Sequence, residues 1–231
     1  MDRRELKMGA KEAMRVAAIS PYGVTIIYGI ITFIMSGVQN ALVEWALILF
    51  QTGAYIDVSQ IKSLISIAFV FSIIFVILAS ILDFGYQLFC LKISNRDSSM
   101  SYGDLFTGIR YVLKILGLCI MMLIFELLWS ALLLIPGIIA GFRYSQALFI
   151  LAENPDKGIM QCIRESKEMM KGHKFEYFVL NLSFILWDLL VIVTFGLAAI
   201  YVKPYIIVTL ANYYNAIKPK AAVDYEYTAF T

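Results

Sequence analysis

The chain is poor in the residues that soluble enzymes and disulfide-stapled domains rely on. It has one histidine, His173, and three cysteines, Cys90, Cys119 and Cys162, at unrelated spacings. An odd number of cysteines with no CxxC pair argues against a disulfide framework and against a zinc site, and Cys119 reads as a small core residue. His173, in MMKGHKF, reads as a headgroup contact and not a metal ligand. No Walker A sequence, GxSxG, HExxH or DxxD cluster occurs. Without a nucleophile and base set, the expectation is a protein that is not an enzyme and that needs no cofactor or metal. No cleavable leader is expected, because the first apolar run is long and no small-residue cleavage site follows it. Charge is scarce as well. Asp, Glu, Lys and Arg make up 16% of 231 residues, and the formal net charge of +2 is too small to argue for nucleic acid.

What remains is apolar. Hydrophobic residues make up 61% of the chain and the mean hydropathy is +0.79, where soluble domains run nearer half apolar and a quarter charged. Residues 124–155, IFELLWSALLLIPGIIAGFRYSQALFILAENP, show the pattern most sharply. They are two apolar runs about a Pro-Gly break, with Glu126 and Arg143 on either side. Several runs reach the roughly 20 residues that cross about 30 Å of hydrocarbon. The expected fold class is all-α: a polytopic membrane helix bundle of about six transmembrane helices in a single domain, 1–218, followed by a polar tail, 219–231, read as disordered.

The chain opens with a charged helix, 1–15, whose Arg4, Lys7, Lys11 and Arg15 are spaced to share one face. The first span is expected at 16–38, with Pro21, Gly23 and Gly29 suggesting a kink or close packing. Residues 41–50 are too few to cross, so they read as an interfacial or re-entrant piece on the outer side, with Trp45 at headgroup level. The second span is 61–91 and carries Asp83. Residues 92–110 form a polar connection. The third span is 111–135, with Pro136-Gly137 as the turn. The fourth is 137–152, where Gly137 and Gly141, in GxxxG spacing, allow a close helix neighbour. Glu153 and Asn154 end a helix. Residues 156–174 are amphipathic. Lys157, Arg164, Lys167, Lys171 and Lys174 gather on one side, opposite Ile159, Ile163, Ser166, Met169 and Met170, as in a helix lying in the interface against anionic lipid. The fifth and sixth spans are 175–195 and 197–217.

Sixteen of the nineteen basic residues fall in 1–15, 92–114, 157–174 and the tail. Six spans place all four groups on one side. The positive-inside rule makes that side cytoplasmic, with both termini in.

The third-fourth and fifth-sixth hairpins resemble each other. Leu128-Trp129 precedes Gly137, Ala140 and Arg143, and Leu186-Trp187 precedes Gly196, Ala199 and Lys203. Chance remains the alternative to a parallel repeat. Charges in hydrocarbon cost roughly 2.5–3.5 kcal/mol each on insertion scales, so they are kept for function or paired. At 1.5 Å per residue, Glu126 lies roughly 15 Å and Arg143 about 10 Å from the turn, so the two could meet. Asp188 with Lys203 would be the equivalent pair. Asp83 would meet Arg143 or Lys203, or face water. These five residues are the candidates for either a ligand site or ion pairs that fix helix register.

The run LLWSALLLIPGIIAGFRYSQALFILAENP, then CIRESKEMMKGHKFEYFVLNLSFILWDLL and KPYIIVTLANYY, with YGDLFTGI at 102–109, resembles the bacterial integral membrane proteins of domain-of-unknown-function family 975. The resemblance covers about residues 1–217 and is strongest over 128–217. It implies a bacterial plasma membrane and about six spans, and it brings no established activity and no catalytic residues. Two functions therefore compete. One is a non-catalytic protein that binds membrane lipid, or another membrane protein or a copy of itself, as a scaffold, accessory or protective factor. The other is a small transporter or lipid translocator that uses the buried charges. An intramembrane enzyme stands third.

Overall fold

A computed structural model describes residues 2–51, 58–132 and 134–219. They form ten α-helices and one 3-10 helix, with no strand among the described residues. The expected tail beyond 219 lies outside the described residues.

Helix α1 is Arg3–Val16. Asp2 caps it, its carboxylate accepting from Arg4 N–H at 2.8 Å. Ala10, Ala13 and Met14 are buried. Lys7 Nζ donates to the Ser183 carbonyl at 3.2 Å and lies 4.3 Å over the Phe184 ring. Burial, with Arg3 and Lys11 nearby, lowers the Lys7 ammonium below its ordinary pKa. The charged face expected here thus packs partly inward.

Helix α2 is Pro21–Gln51. Pro21 is its first residue, where the missing N–H costs nothing, and so it starts the helix instead of kinking it. After Gly37 nothing up to Gln51 breaks a helix. The expected separate piece at 41–50 is therefore the end of one helix about 46 Å long. Helix α3 is Val58–Ser94. Three side-chain hydrogen bonds join α2 to α3: Thr25 with Tyr86 at 2.7 Å, Tyr28 to Asp83 at 2.6 Å and Gln39 to Ser72 at 2.7 Å. Thr25 to Gln39 is the same number of residues as Ser72 to Tyr86, so the two helices run antiparallel in one constant register.

The polar connection after α3 is ordered. Ser101 and Asp104 form a capping box that starts a 3-10 helix, Tyr102–Tyr111. Lys92 Nζ pairs with Asp104 at 2.8 Å. Two glycines let this helix lie directly on α3. A Cβ at Gly85 would collide with the Leu105 carbonyl, and one at Gly108 would stand 2.6 Å from the Ile81 oxygen.

Helix α4 is Val112–Leu132 and α5 is Leu134–Tyr144. Residue 133, between them, lies outside the described residues. Pro136 and Gly137, expected as the turn, instead lie in the first turn of α5, where proline is tolerated. The expected fourth span is broken: α5 ends, Ser145 and Gln146 turn, and α6 follows at Ala147–Glu153. Helix α7, Ile159–Met169, explains the break. Its Ser166 hydroxyl accepts from Gln146 N–H at 3.2 Å and donates to the Arg143 carbonyl at 3.0 Å. Cys162, Ile163, Ser166 and Met169 of α7 are buried. The apolar face expected to lie in lipid is covered by protein instead.

Helices α8, Lys174–Leu182, and α9, Ile185–Val193, are separated by a turn at Ser183 and Phe184. Helix α10, Ala199–Ile217, runs through the core, with Val202, Tyr205, Val208, Ala211, Tyr213 and Tyr214 buried. Among the described residues, four helices are long and apolar enough to cross a membrane, fewer than the six expected: Pro21–Trp45, Ile65–Ser94, Tyr102–Ser130 and Lys174–Val193. The shortfall follows from the break between α5 and α6 and from the polar side chains of α10, among them Lys203, Asn212 and Asn215.

Candidate functional site

Two of the charges within the apolar zone, Asp83 and Lys203, meet where α2, α3 and α10 come together. Each helix contributes from its register. Lys203, one turn into α10, places its Nζ 3.9 Å from Asp83 Oδ1. The ammonium also lies 3.6 Å from the Tyr28 ring centroid and 5.3 Å from that of Tyr86. Tyr28 OH donates to the same Asp83 oxygen at 2.6 Å. Thr25 gives its one proton to the Pro21 carbonyl at 2.8 Å, so Tyr86 is the donor in the Thr25–Tyr86 bond. The lysine is thus held by a carboxylate and two aromatic faces, an arrangement that offsets its loss of hydration.

Two cavities reach this lysine. A groove of about 560 Å³ runs between α2 and the start of α10, lined by Tyr28, Gly29, Thr32, Phe33, Leu197 and Ile200 among others, with Lys203 in its wall. A smaller one of about 240 Å³ lies between α9 and α10, lined by Asp188, Val191, Ile206 and Lys203. Both linings are mainly apolar.

Lys203 was expected opposite Asp188. It pairs with Asp83, and Asp188 only shares the smaller cavity with it. Glu126 and Arg143 make no ion pair among the described residues. The Arg143 guanidinium lies 5.2 Å from the Trp129 ring centroid, and Glu126 faces Gly141, whose absent Cβ would be 3.4 Å from Glu126 Oε1. Gly137 likewise faces Ser130. Both glycines of the GxxxG spacing therefore close α5 against α4, its own hairpin partner. The α4–α5 and α9–α10 hairpins were expected to meet around their charges, but α5 meets the second unit through Phe142 against Tyr177 and Phe178 of α8.

Of the residues expected to touch anionic lipid, Lys157, Arg164 and Lys171 line a cavity of about 560 Å³ beside Tyr214 and Lys218. Lys157 pairs with Glu165 and Lys171 with Glu168, each at 2.6 Å. Burial opposes ionisation of Glu165, but hydrogen bonds from Lys157 and Gln161 prevail and hold its pKa below the usual value. Burial raises the Cys162 thiol. Tyr28, Tyr86 and Thr25 went unnoticed in the sequence. The signal that could have found them is that Thr25 and Tyr28 stand one turn apart on α2, as do Asp83 and Tyr86 on α3.

Helices of this length and apolarity, packed around a paired lysine, define an all-helical membrane protein. Residues 131–221 match the family model described as Protein of unknown function (DUF975). No curated protein and no solved structure matches the chain.

Proposed function

We propose that this is a non-catalytic integral membrane protein of the bacterial plasma membrane, with both termini cytoplasmic, that binds a membrane lipid in the groove between α2 and α10. The observation that carries the reading is the groove itself: an apolar channel of about 560 Å³ whose wall holds one paired cation, Lys203. Apolar walls suit an acyl chain, and a lysine suits an anionic or zwitterionic headgroup. The distribution of basic residues supports the orientation. Gly29 lines the groove and has open space around the Cβ it lacks. Gly29→Trp should fill the groove and strip co-purified lipid, read by native mass spectrometry from mild detergent, while the melting temperature holds. Unchanged lipid retention in a stable Gly29→Trp protein contradicts lipid binding there.

A second reading, a small transporter, is favoured by Lys203 lining two separate cavities, one toward α2 and one toward α9. Transport of a charged solute by reconstituted protein, abolished by Lys203→Met, would decide for it.

A further inference from the structure

We infer that the α9–α10 hairpin does not cross the bilayer but is re-entrant, entering from the cytoplasmic side and turning within the inner leaflet. Helix α10 runs parallel to α3: Lys203 is level with Asp83, and Asn212 with Ser94, whose hydroxyl donates to Asn212 Oδ1 at 2.6 Å. Carried back four residues, Ala199 stands level with residue 79 of α3. The register of α2 on α3 then puts the tip of the hairpin beside Thr32 and Phe33. Those two residues share the groove lining with Phe195, Gly196 and Leu197. Two independent registers agree.

The tip therefore stops about 25 Å short of the level of Lys62. Residues 63–82 of α3 contain no Asp, Glu, Lys or Arg, and at 1.5 Å per residue they measure about 30 Å, the thickness of the hydrocarbon. The outer part of this stretch is exposed, with Ile65 and Phe69 each 64% accessible. A bilayer placed low enough for the tip to reach its outer face would leave those side chains in water.

The tip is also built for hydrocarbon. Residues 189–202 carry no charge, and Phe195 is 98% exposed. A turn in lipid must satisfy its backbone without water, and every N–H from Thr194 to Val202 donates within the hairpin. Phe195 and Gly196 take positive φ angles of 51° and 89°. Gly196 N–H reaches the Val191 carbonyl at 2.8 Å, and Ala198 N–H reaches the Thr194 hydroxyl at 3.0 Å. An even number of crossings is lost when the hairpin is re-entrant, so both termini stay on one side. The distribution of basic residues is therefore blind to the difference.

The test is depth measured inside the bilayer. Nitroxide labels are placed on Phe195→Cys, Phe33→Cys and Trp45→Cys in full-length protein in nanodiscs, with the unsubstituted chain as the background for its own cysteines. Relaxation by oxygen and by a nickel chelate then gives depth. All three positions are exposed, so the folded bundle is undisturbed. The label at 195 is expected at the depth of the label at 33, and an impermeant maleimide added outside intact cells should leave Phe195→Cys unmodified. A label at 195 as shallow as the one at 45, or modification of Phe195→Cys from outside, overturns the re-entrant hairpin.

Discussion

The inner, closely packed half of the molecule and the outer arm of α2 and α3 are held together differently. In the inner half, helices touch through backbone. The 3-10 helix lies on α3 at Gly85 and Gly108, Ile159 of α7 presses on Gly117, and Ser166 bridges the α5–α6 break. In the outer arm, Gly37 has nothing within 4 Å of where a Cβ would stand, and large side chains such as Phe69 and Trp45 face outward. Close packing gives the first region its shape, since dense interiors yield little. The second is solvated by lipid, which is as apolar as its side chains and leaves no hydrophobic drive to close it.

Glycine substitutions break this comparison most sharply. Gly85→Ala should cost about 3 kcal/mol or prevent folding, because the added methyl meets a backbone carbonyl that cannot rotate away. Gly37→Ala, on the outer arm, should change stability by less than about 1 kcal/mol and raise it if anything. Melting curves in one detergent compare the two. Equal losses would show that the arm is packed after all. Next in size, Ser166→Ala should cost about 2 kcal/mol, since it leaves the Gln146 N–H and the Arg143 carbonyl without their partner. A fully stable Ser166→Ala protein would mean that the break is held by something else.

That break shows where the sequence ran out as a guide. Apolar run lengths marked the membrane zone and the first two hairpin helices well, because about 20 apolar residues carry their own signal. The bridge between Ser166 and Gln146 joins residues twenty apart, and no local pattern announces it. The same holds for the 3-10 helix: YGDLFTGI looks like a polar loop until Gly85 offers a surface for it. The lysine site was half legible. Lys203 stood out as a charge in an apolar run, and Asp83 was among its possible partners, but the hairpin pattern favoured Asp188. Helix register decided for Asp83, and register is a property of three helices together.

Smaller effects sharpen the contrast at the boundary between the two regions. Lys203→Met should cost about 1.5 kcal/mol by leaving Asp83 without its cation in a lipid-facing position. Adding Asp83→Asn should recover most of it, and a double-mutant cycle reads the coupling. Additive losses would show that the pair does not interact. The smallest effect lies at the α7 ion pair. Glu165 has a depressed pKa in the folded state, so its contribution is present above its unfolded pKa and lost as pH falls through the folded one. Because the pair is partly exposed, the loss should be about 0.5 kcal/mol, developing below about pH 5. Lys157→Gln should flatten that part of the stability curve, and an unchanged slope would contradict the pairing.

Photocrosslinking of lipid tests the central claim most directly. A photoreactive phenylalanine replaces Ile200, in the groove wall, or Leu113, which is 82% exposed on α4 and outside that groove. Both proteins are extracted from membranes in mild detergent, irradiated and weighed intact. A glycerophospholipid adduct should persist at position 200 through washing that removes it from position 113, and Gly29→Trp should abolish it. Equal adduct yields at the two positions, or none at 200, would contradict a bound lipid in the groove.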